Sequence, residues 1–368
     1  MTARAISIRH PGRSVVSRVL IEPGGLDRLG THLRAYRGRR AVVVSEPRVA
    51  RLYALRALAA LERGGIEATR VLVPAGERAK SVRQLSRLWE AFAHAGLGRG
   101  DVVVALGGGA VGDLAGFAAA TWLRGIEWII VPTSLLAQVD SSVGGKTAID
   151  LEAGKNLAGV FYQPSIVIAD PSVLPTLPMR HLRAGLAEVV KMGMAVDAAL
   201  FRAAERDAAS LLARDPQALA RLIERSVRAK ARITRADERE REGGGRTALN
   251  LGHTLGHAIE SCLGYRGILH GEAVAIGLRI ASRLSVEFAG LEPALRDRQN
   301  ALLDRLGLPD RIPGLRLGAL LAAMRRDKKG RNGMIRWVLT PRLGHASVPR
   351  LIPSRRIEAA LLDAGARR

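Results

Sequence analysis

Cysteine and aromatic residues are scarce in this chain of 368 residues, and each shortage excludes a class of site. Cys262 is the only cysteine, so neither an intrachain disulfide nor a structural zinc site made of several thiolates can form. Aromatic residues account for 4% of the chain, which is poor for stacking nucleic-acid bases. A lone cysteine is typical of reducing conditions, so we expect a cytoplasmic protein.

Long hydrophobic runs are also missing. No stretch of about eighteen apolar residues occurs, and the N-terminal segment "MTARAISIRHPGR" has no continuous apolar core. We therefore expect no transmembrane helix, no signal peptide and no membrane partner. The net charge of +23 would suit a nucleic-acid partner, but the arginines are spread over the polar faces of predicted helices. We expect no nucleic-acid partner, and a positive field that attracts an anionic small molecule.

Lysine is the most informative shortage, because only 7 of the 57 basic residues are lysine and 50 are arginine. An ammonium is a compact donor on a flexible stem, whereas a guanidinium is a wide planar fork. Exchanging one for the other costs little on a surface and much in a crowded polar pocket. We infer that the remaining lysines lie in or beside functional sites. They are Lys80, Lys146, Lys155, Lys191, Lys230, Lys328 and Lys329.

Strand-like and helix-like segments alternate through the first half of the chain. Predicted strands include "RAVVVSE", "EATRVLVPAG", "DVVVALGGG", "EWIIVPT" and "SIVIADP". This rhythm predicts a doubly wound parallel sheet. From about residue 180 to about residue 326 long helical segments follow, and only "MIRWVLT" predicts a later strand. The predicted fold is an α/β nucleotide-binding domain, residues 1–178, and a mostly helical metal- and substrate-binding domain, residues 179–368, with ligands in the cleft between them.

A glycine loop in "ALGGGAVGDLAG" follows a predicted strand and precedes a predicted helix. Glycines let the backbone approach a phosphate, and the start of a helix offers free N–H groups. A plain glycine turn would account for Gly107–Gly109 equally well. Polar residues at the ends of two other predicted strands, Glu46 and then Glu77 with Lys80, favour a dinucleotide site.

Three of the eight histidines fall within eighteen residues, at His253, His257 and His270. His253 and His257 stand four residues apart on one helix face, a spacing that suits zinc. Buried or surface histidines without a metal are the alternative, but the density of the cluster favours a metal. Glu188, in the apolar run "AGLAEVVKMG", is a candidate carboxylate ligand, although an exposed helical glutamate would have the same spacing.

Seven segments of the chain share a common pattern with one enzyme family, in the same order: "GGGAVGDLAGFAAATWLRGI", "VPTSLLAQVDSSVGGKTAID", "EAGKNLAGVFYQP", "AGLAEVVKMG", "ALNLGHTLGHAIE", "HGEAVAIG" and "RRDKKG". Together they resemble the 3-dehydroquinate synthases, a family of the sugar phosphate cyclase group, from about residue 40 to about residue 340. The resemblance implies an NAD- and metal-dependent, phosphate-eliminating carbon-oxygen lyase of the shikimate pathway. Its substrate would be 3-deoxy-D-arabino-heptulosonate 7-phosphate, its products 3-dehydroquinate and phosphate, its metal zinc or cobalt, and its assembly a homodimer.

The resemblance also implies roles for single residues. It assigns the metal to Glu188, His253 and His270 and places His257 beside the substrate, which changes the pair drawn from spacing. The implied catalytic residues are Asp140, Lys146, Asn156, Lys191 and His257. The implied substrate contacts are Arg124, Lys146, Asn156, Lys230, Arg246, Asn250, His257 and Lys328. The implied NAD contacts are Glu46, Glu77, Lys80, Gly108, Gly109, Asp113, Thr133, Ser134, Lys155 and Thr176.

Three alternative functions stay open at this point. A related cyclase would act on sedoheptulose 7-phosphate or another sugar phosphate. A substrate with a carboxylate is favoured instead by the joint retention of Lys230, Arg246, Asn250 and His257. A metal-dependent alcohol dehydrogenase of the same fold would need no anion cluster and would accumulate NADH. A nucleic-acid binder would have to show tight, salt-sensitive binding to DNA.

Overall fold

The computed structural model describes residues 3–9, 16–238, 245–327, 335–346 and 349–368. They form two compact units, Met1–Leu177 with Leu219–Ala231, and Pro178–Ala218 with Arg232–Arg368. The division at residues 178 and 179 that the sequence predicts stays a prediction, and the structure adds that residues 219–231 pack with the first unit. Lys328, an expected substrate contact, lies outside the described residues.

A seven-stranded sheet is the centre of the first unit, and a two-stranded hairpin accompanies it. The sheet has the spatial order β1-β2-β9-β6-β5-β3-β4, and every neighbouring pair is parallel except β1 with β2. Strands β7 and β8 form the antiparallel hairpin. In chain order the strands are β1 (Arg4–Arg9), β2 (Val16–Ile21), β3 (Arg40–Ser45), β4 (Glu67–Leu72), β5 (Val102–Gly107), β6 (Glu127–Pro132), β7 (Lys146–Leu151), β8 (Gly154–Phe161) and β9 (Ile166–Ala169).

The parallel sheet predicted from the valine-rich segments is confirmed. All six residues of β5 are buried, as expected for a parallel strand that is covered on both faces. The chain passes from β3 outward to β4 and returns to β5 on the other side of β3, so β3 and β5 flank a topological switch point. The helices here are α1 (Leu29–His32), α2 (Pro47–Val49), α3 (Leu55–Arg63), α4 (Val82–His94) and α5 (Gly109–Thr121).

The second unit is mostly helical, as predicted. Leu255, Ile276, Leu320 and Trp337 are among the buried residues of its core. None of the described helices is long and apolar enough to cross a membrane. The elements are α6 (Met179–Ala195), α7 (Ala198–Arg206), α8 (Ala208–Leu212), α9 (Pro216–Ala236, partly in the first unit), α10 (His253–Cys262), α11 (His270–Ala289), α12 (Pro293–Arg305), α13 (Leu317–Asp327), the paired strands β10 (Arg336–Trp337) and β11 (Arg350–Leu351), and α14 (Ser354–Asp363).

Two glycines of α11 bring neighbouring backbones into direct contact with this helix. A Cβ atom added to Gly271 would lie 1.9 Å from the carbonyl oxygen of Ala184 on α6. A Cβ atom added to Gly277 would lie 1.9 Å from the carbonyl oxygen of Gly252, just before α10. No side chain fits at these distances, so both positions require glycine. The three helices α6, α10 and α11 are therefore held together by close backbone packing.

Candidate functional site

A cluster of one carboxylate and two imidazoles lies where α6, α10 and α11 meet; Glu188 and His253 are buried, and His270 is half-buried. Glu188 is on α6, His253 is the first residue of α10, and His270 is the first residue of α11. One potential ligand atom from each of the three residues lies within 4.8 Å of the others. The Nε2 atoms of His253 and His270 lie 3.8 and 3.4 Å from Oε1 of Glu188. The structure thus brings together the three residues expected to bind a metal.

The surroundings of the cluster orient both imidazoles. His253 donates from Nδ1 to the carbonyl oxygen of Leu251 at 3.2 Å, which leaves its Nε2 lone pair toward Glu188. His270 donates from Nδ1 to Oε2 of the buried Glu260 at 2.9 Å. A carboxylate or carbonyl on the far nitrogen is the usual partner of a metal-binding histidine.

The charges in the cluster favour the ligand forms of two of its members. Burial opposes ionisation of Glu188, but the adjacent Lys191 ammonium together with His253 and His270 outweighs it, and the pKa of Glu188 lies well below its usual range. Burial, reinforced by Lys191, lowers the pKa of His253 well below its usual range. Burial also opposes protonation of His270, but hydrogen bonds to Glu188 and Glu260 raise its pKa to about 10. An ion that binds here must therefore displace a proton from His270.

A divalent metal ion fits this donor set. Both carboxylate oxygens of Glu188 are buried: Oε2 contacts the Lys191 ammonium, and Oε1 faces the Nε2 atoms of both imidazoles. Two ligands at the usual zinc bond length and a tetrahedral angle stand about 3.4 Å apart, close to the separations of the two imidazoles from Glu188. One anionic oxygen and two imidazole nitrogens leave a coordination position open, which is typical of catalytic rather than structural zinc sites.

His257 belongs to the same cluster. Its ring centroid lies 5.2 Å from that of His253 and 5.9 Å from that of His270. His257, Glu260 and His270 form a second set of potential ligand atoms within 4.8 Å of one another. His253 and His257, whose spacing in the sequence suits zinc, are therefore close together in the structure. The assignment of the ion to Glu188, His253 and His270 stays a proposal.

Replacing Glu260 with glutamine is expected to weaken metal affinity about 10- to 100-fold, because the amide cannot supply the negative charge that orients and polarises His270. Competition of the purified protein with a metallochromic chelator measures this affinity directly. Glu287→Gln, which alters an exposed ion pair with Arg356, is the matched control. Unchanged affinity in Glu260→Gln would remove the orienting role.

The expected NAD residues line up along one edge of the sheet in the first unit. Glu46 follows β3, Glu77 follows β4, Gly108 follows β5, and Thr133 and Ser134 follow β6. Because these four strands are parallel neighbours, their carboxyl ends meet at the same edge, around the switch point between β3 and β5. This is the edge at which nucleotides bind in such sheets.

The glycine turn fits a phosphate group. Gly108 is the N-cap of α5, and no side chain caps this helix. A Cβ atom on Gly108 would lie 3.6 Å from the nearest atom, Oγ of Ser134, and its φ of −80° suits any residue. Neither crowding within the protein nor backbone conformation requires glycine here. A phosphate that approached the backbone at the start of α5 would account for it.

Lys80 is the centre of a charged group beside this edge. Its side chain is 2% exposed, and Nζ lies 2.8 Å from Oδ2 of Asp113, 3.6 Å from Oε2 of Glu77 and 3.7 Å from Oδ1 of Asp150. Nζ also donates to the side chain of Asn156. Through these contacts Lys80 connects the segment after β4, helix α5 and the hairpin. Burial raises the pKa of the Asp113 carboxyl, although the Lys80 ammonium acts in the opposite direction.

The other expected NAD residues have more modest settings. Glu46 accepts from the backbone N–H groups of Arg48 and Val49, each at 3.2 Å, and so caps α2. Lys155 lies 3.6 Å from Glu77. The hydroxyl of Thr176 contacts the hydroxyl of Tyr53 at 2.5 Å.

The hairpin of β7 and β8 carries two expected substrate residues. Lys146 begins β7 and is exposed, directly after Gly144 and Gly145, which have φ of +106° and +65°. Asn156 lies on β8 with φ of +57°. Arg124, also exposed, follows Leu123 in a turn where both have positive φ, +69° and +48°. Non-glycine residues rarely adopt this conformation, and it concentrates at binding sites.

Three of the lysines that the structure describes are buried, and the inference that the scarce lysines lie in functional sites stays a prediction. Lys80, Lys191 and Lys230 are 3%, 2% and 6% exposed. Lys191 contacts Glu188, and Lys230 lies 2.7 Å from the Asp140 carboxylate while donating to its carbonyl oxygen at 2.6 Å. Each of these lysines contacts a carboxylate in a confined space, where a guanidinium would not fit without displacing its neighbours.

Two further expected substrate residues precede α10 in the second unit. Arg246 and Asn250 lie on the 3₁₀ turn Gly245–Asn250, which leads into the helix that carries His253 and His257. Arg246 is 1% exposed and donates to the carbonyl oxygen of Glu238 at 2.6 Å.

Sequence reasoning missed Glu260 and Asp150. Glu260 stands three residues after His257, inside an apolar helical run, and a buried acid in such a run was the signal that singled out Glu188. Asp150 is half-buried near the end of β7 and has no sequence signal of this kind.

The chain is similar to known enzymes over most of its length. The family model for the N-terminal part of 3-dehydroquinate synthase matches residues 70–184, and that for the C-terminal part matches residues 185–330. A 3-dehydroquinate synthase of Pelobacter propionicus is 48% identical over 335 residues, which cover 90% of this chain and 92% of the relative.

Two solved structures share the fold and some sequence. 2-Epi-5-epi-valiolone synthase of Streptomyces hygroscopicus, with NAD+ and Zn2+ bound, is 29% identical, has a TM-score of 0.87, and covers 96% of this chain and 97% of its own. 2-Deoxy-scyllo-inosose synthase, complexed with carbaglucose-6-phosphate, NAD+ and Co2+, is 25% identical, has a TM-score of 0.89, and covers 98% of this chain and 100% of its own.

Proposed function

The chain belongs to the 3-dehydroquinate synthase family, and from this premise we propose that it converts 3-deoxy-D-arabino-heptulosonate 7-phosphate to 3-dehydroquinate and phosphate. It is a phosphate-eliminating lyase of the shikimate pathway. The observation that supports this most directly is the cluster of Glu188, His253 and His270, beside a lysine and a third histidine.

NAD and a divalent ion, zinc or cobalt, are the cofactors. When bound, NAD would supply reversible hydride transfer, and the ion would supply polarisation of the substrate hydroxyl groups. We propose that Glu188, His253 and His270 hold the ion, and that residues at the carboxyl edge of the sheet, from Glu46 to Thr176, hold NAD.

Residues of the second unit would position the reacting carbons. His257 lies beside the metal-binding cluster, where it can orient a substrate hydroxyl or move a proton. Lys191 keeps Glu188 ionised, which keeps the carboxylate available as a ligand. Arg246 and Asn250 supply a cation and an amide for an anionic group of the substrate.

Residues of the first unit would bind the anionic ends of the substrate. Lys146, Asn156 and Arg124 stand on the hairpin and the strained turn, and Lys230 is paired with Asp140. A phosphate dianion that must leave requires compact donors rather than a rigid bidentate fork, which accounts for lysine at positions 146 and 230.

Phosphate release from the heptulosonate phosphate by purified protein tests the function, with sedoheptulose 7-phosphate as the competing substrate. We expect phosphate release with the first compound and no net rise in NADH absorbance. Release only from sedoheptulose 7-phosphate would favour a related cyclase, and NADH accumulation with a polyol would favour an alcohol dehydrogenase. Exhaustive chelation should abolish turnover, and full activity after chelation would contradict the metal assignment.

Lys146→Arg is expected to lower kcat/KM about 100-fold while the protein stays folded, because the longer, planar guanidinium cannot replace a compact ammonium against a phosphate. Steady-state kinetics and thermal unfolding measure the two effects separately. Arg70→Lys, at an exposed position of β4, is the matched control and should change neither. Near-normal turnover in Lys146→Arg would contradict the role given to this lysine.

We further propose that the protein acts in the cytoplasm as a homodimer. Family resemblance supports the dimer, and the lone Cys262 is compatible with a reducing compartment. Sedimentation equilibrium of the purified protein determines the assembly, and a mass of one chain at micromolar concentration would contradict it.

A further inference from the structure

The hairpin of β7 and β8 is irregular at Asp150. Ile149 pairs with Ala158 and Leu151 pairs with Gly154, so a step of two residues along β7 faces a step of four along β8. Asn156 lies in the longer segment, with a φ of +57°. Such a bulge leaves backbone groups without their partners in the strand pairing, and it re-aims the side chains that it carries.

Asp150 replaces one of the missing partners. Its Oδ1 accepts a hydrogen bond from the backbone N–H of Asn156 at 2.9 Å. The backbone N–H of Asp150 itself donates to the carbonyl oxygen of Lys80 at 2.9 Å. Asp150 therefore holds the bulge in its left-handed conformation and ties it to the segment that follows β4.

Lys80 holds the same asparagine from its other end. The ammonium of Lys80 donates to Oδ1 of Asn156 and pairs with Asp113, and it is almost completely buried. Asn156 is thus fixed twice, at its backbone by Asp150 and at its side chain by Lys80. Without Asp150, the hydrogen bond from Lys80 would remain to hold this exposed bulge residue.

We propose that Asp150 is a positioning residue that fixes Asn156 for substrate binding. The inference rests on the proposed function, which gives Asn156 a contact with the substrate. The Asp150 carboxylate itself accepts a hydrogen bond from the backbone of the protein. An asparagine that is fixed before the substrate arrives loses less conformational freedom on binding, so the effect should fall on substrate affinity.

Two variants of Asp150 separate its hydrogen bond from its charge. Asp150→Ala removes the acceptor, and we expect KM for the heptulosonate phosphate to rise about tenfold with kcat changed by less than about threefold. Asp150→Asn keeps an acceptor oxygen for the Asn156 N–H, and we expect KM to recover to within about threefold of the wild type. NAD affinity, measured by quenching of protein fluorescence, should change by less than about threefold in both variants, because Lys80 retains its ion pair with Asp113.

Asp101→Ala is the matched control. Asp101 also binds backbone N–H groups, those of Gly98 and Arg40 at 2.7 and 2.8 Å, and it lies at the opposite edge of the sheet, before β5. It should leave KM unchanged. An unchanged KM in Asp150→Ala, an equal loss in both Asp150 variants, or a fall in kcat alone would overturn the proposal.

Hydrogen exchange keeps this test separate from the proposed function. If the wild-type protein releases no phosphate, the proposed function fails, whereas exchange of the Asn156 amide still reports on Asp150. We expect Asp150→Ala to reduce protection of this amide about tenfold and Asp150→Asn to restore it. Protection that is unaffected by Asp150→Ala would overturn the positioning role whatever the substrate.

Discussion

Replacing Glu188 with glutamine is expected to lower kcat about a thousandfold or more, which corresponds to about 4 kcal/mol of lost transition-state stabilisation. Glutamine has nearly the same shape, but it lacks the anionic oxygen that a divalent ion requires. Lys191, 2% exposed, would also lose the charge of the carboxylate that it contacts. Breaking a buried ion pair costs about 3–5 kcal/mol, so the variant should unfold at a lower temperature as well.

The measurements are steady-state phosphate release, metal content after gel filtration, and thermal unfolding. Glu205→Gln is the matched control, because Glu205 pairs with Arg298 at the surface of the same unit and should change stability by less than about 1 kcal/mol. A Glu188→Gln protein that retains both its metal and its turnover would show that the ion binds elsewhere.

Gly271→Ala is expected to destabilise the second unit by about 3 kcal/mol and to disrupt metal binding. The added methyl group would stand 1.9 Å from the carbonyl oxygen of Ala184, four residues before Glu188. A backbone atom cannot rotate away as a side chain can, so α6 and α11 must move apart. Because Glu188 and His270 lie on these two helices, their separation must change with that movement.

Gly318→Ala is the control for this substitution. Gly318 lies on α13, is exposed, and has no atom within 4 Å of an added Cβ. Alanine has the higher helix propensity, so this variant should be unchanged or more stable by up to about 1 kcal/mol. Equal unfolding temperatures and metal affinities for the two variants would contradict the close packing described for α11.

The sequence predicted the central strands, whose burial is nearly uniform, and missed the hairpin, whose burial is mixed. Strands β3, β5 and β6 are short valine- and isoleucine-rich runs, covered on both faces, and they are legible from composition alone. Strand β8 is mostly exposed and interrupted by a bulge, so it has neither a continuous apolar run nor a regular alternation. The hairpin was therefore not predicted as a structural element, although two of its residues, Lys146 and Asn156, were named as expected substrate contacts.

The candidate site follows the same division. Glu188, His253 and His270 could be found because sequence motifs carry them, and their convergence depends only on how three helices pack. Glu260 and Asp150 act through a neighbour's side chain or backbone, and such a role depends on a single distance in three dimensions. Residue identity and spacing do not contain that distance.

The glycine contacts of α11 also determine how the protein should behave when its ion is removed. Backbone packing, rather than the ion, brings the three ligand-bearing helices together. The cluster of metal ligands is thus preorganised. The conformational entropy of bringing the ligands together is lost when the protein folds and not when the metal binds. The apoprotein should consequently remain native, and adding zinc back should restore turnover without a refolding step.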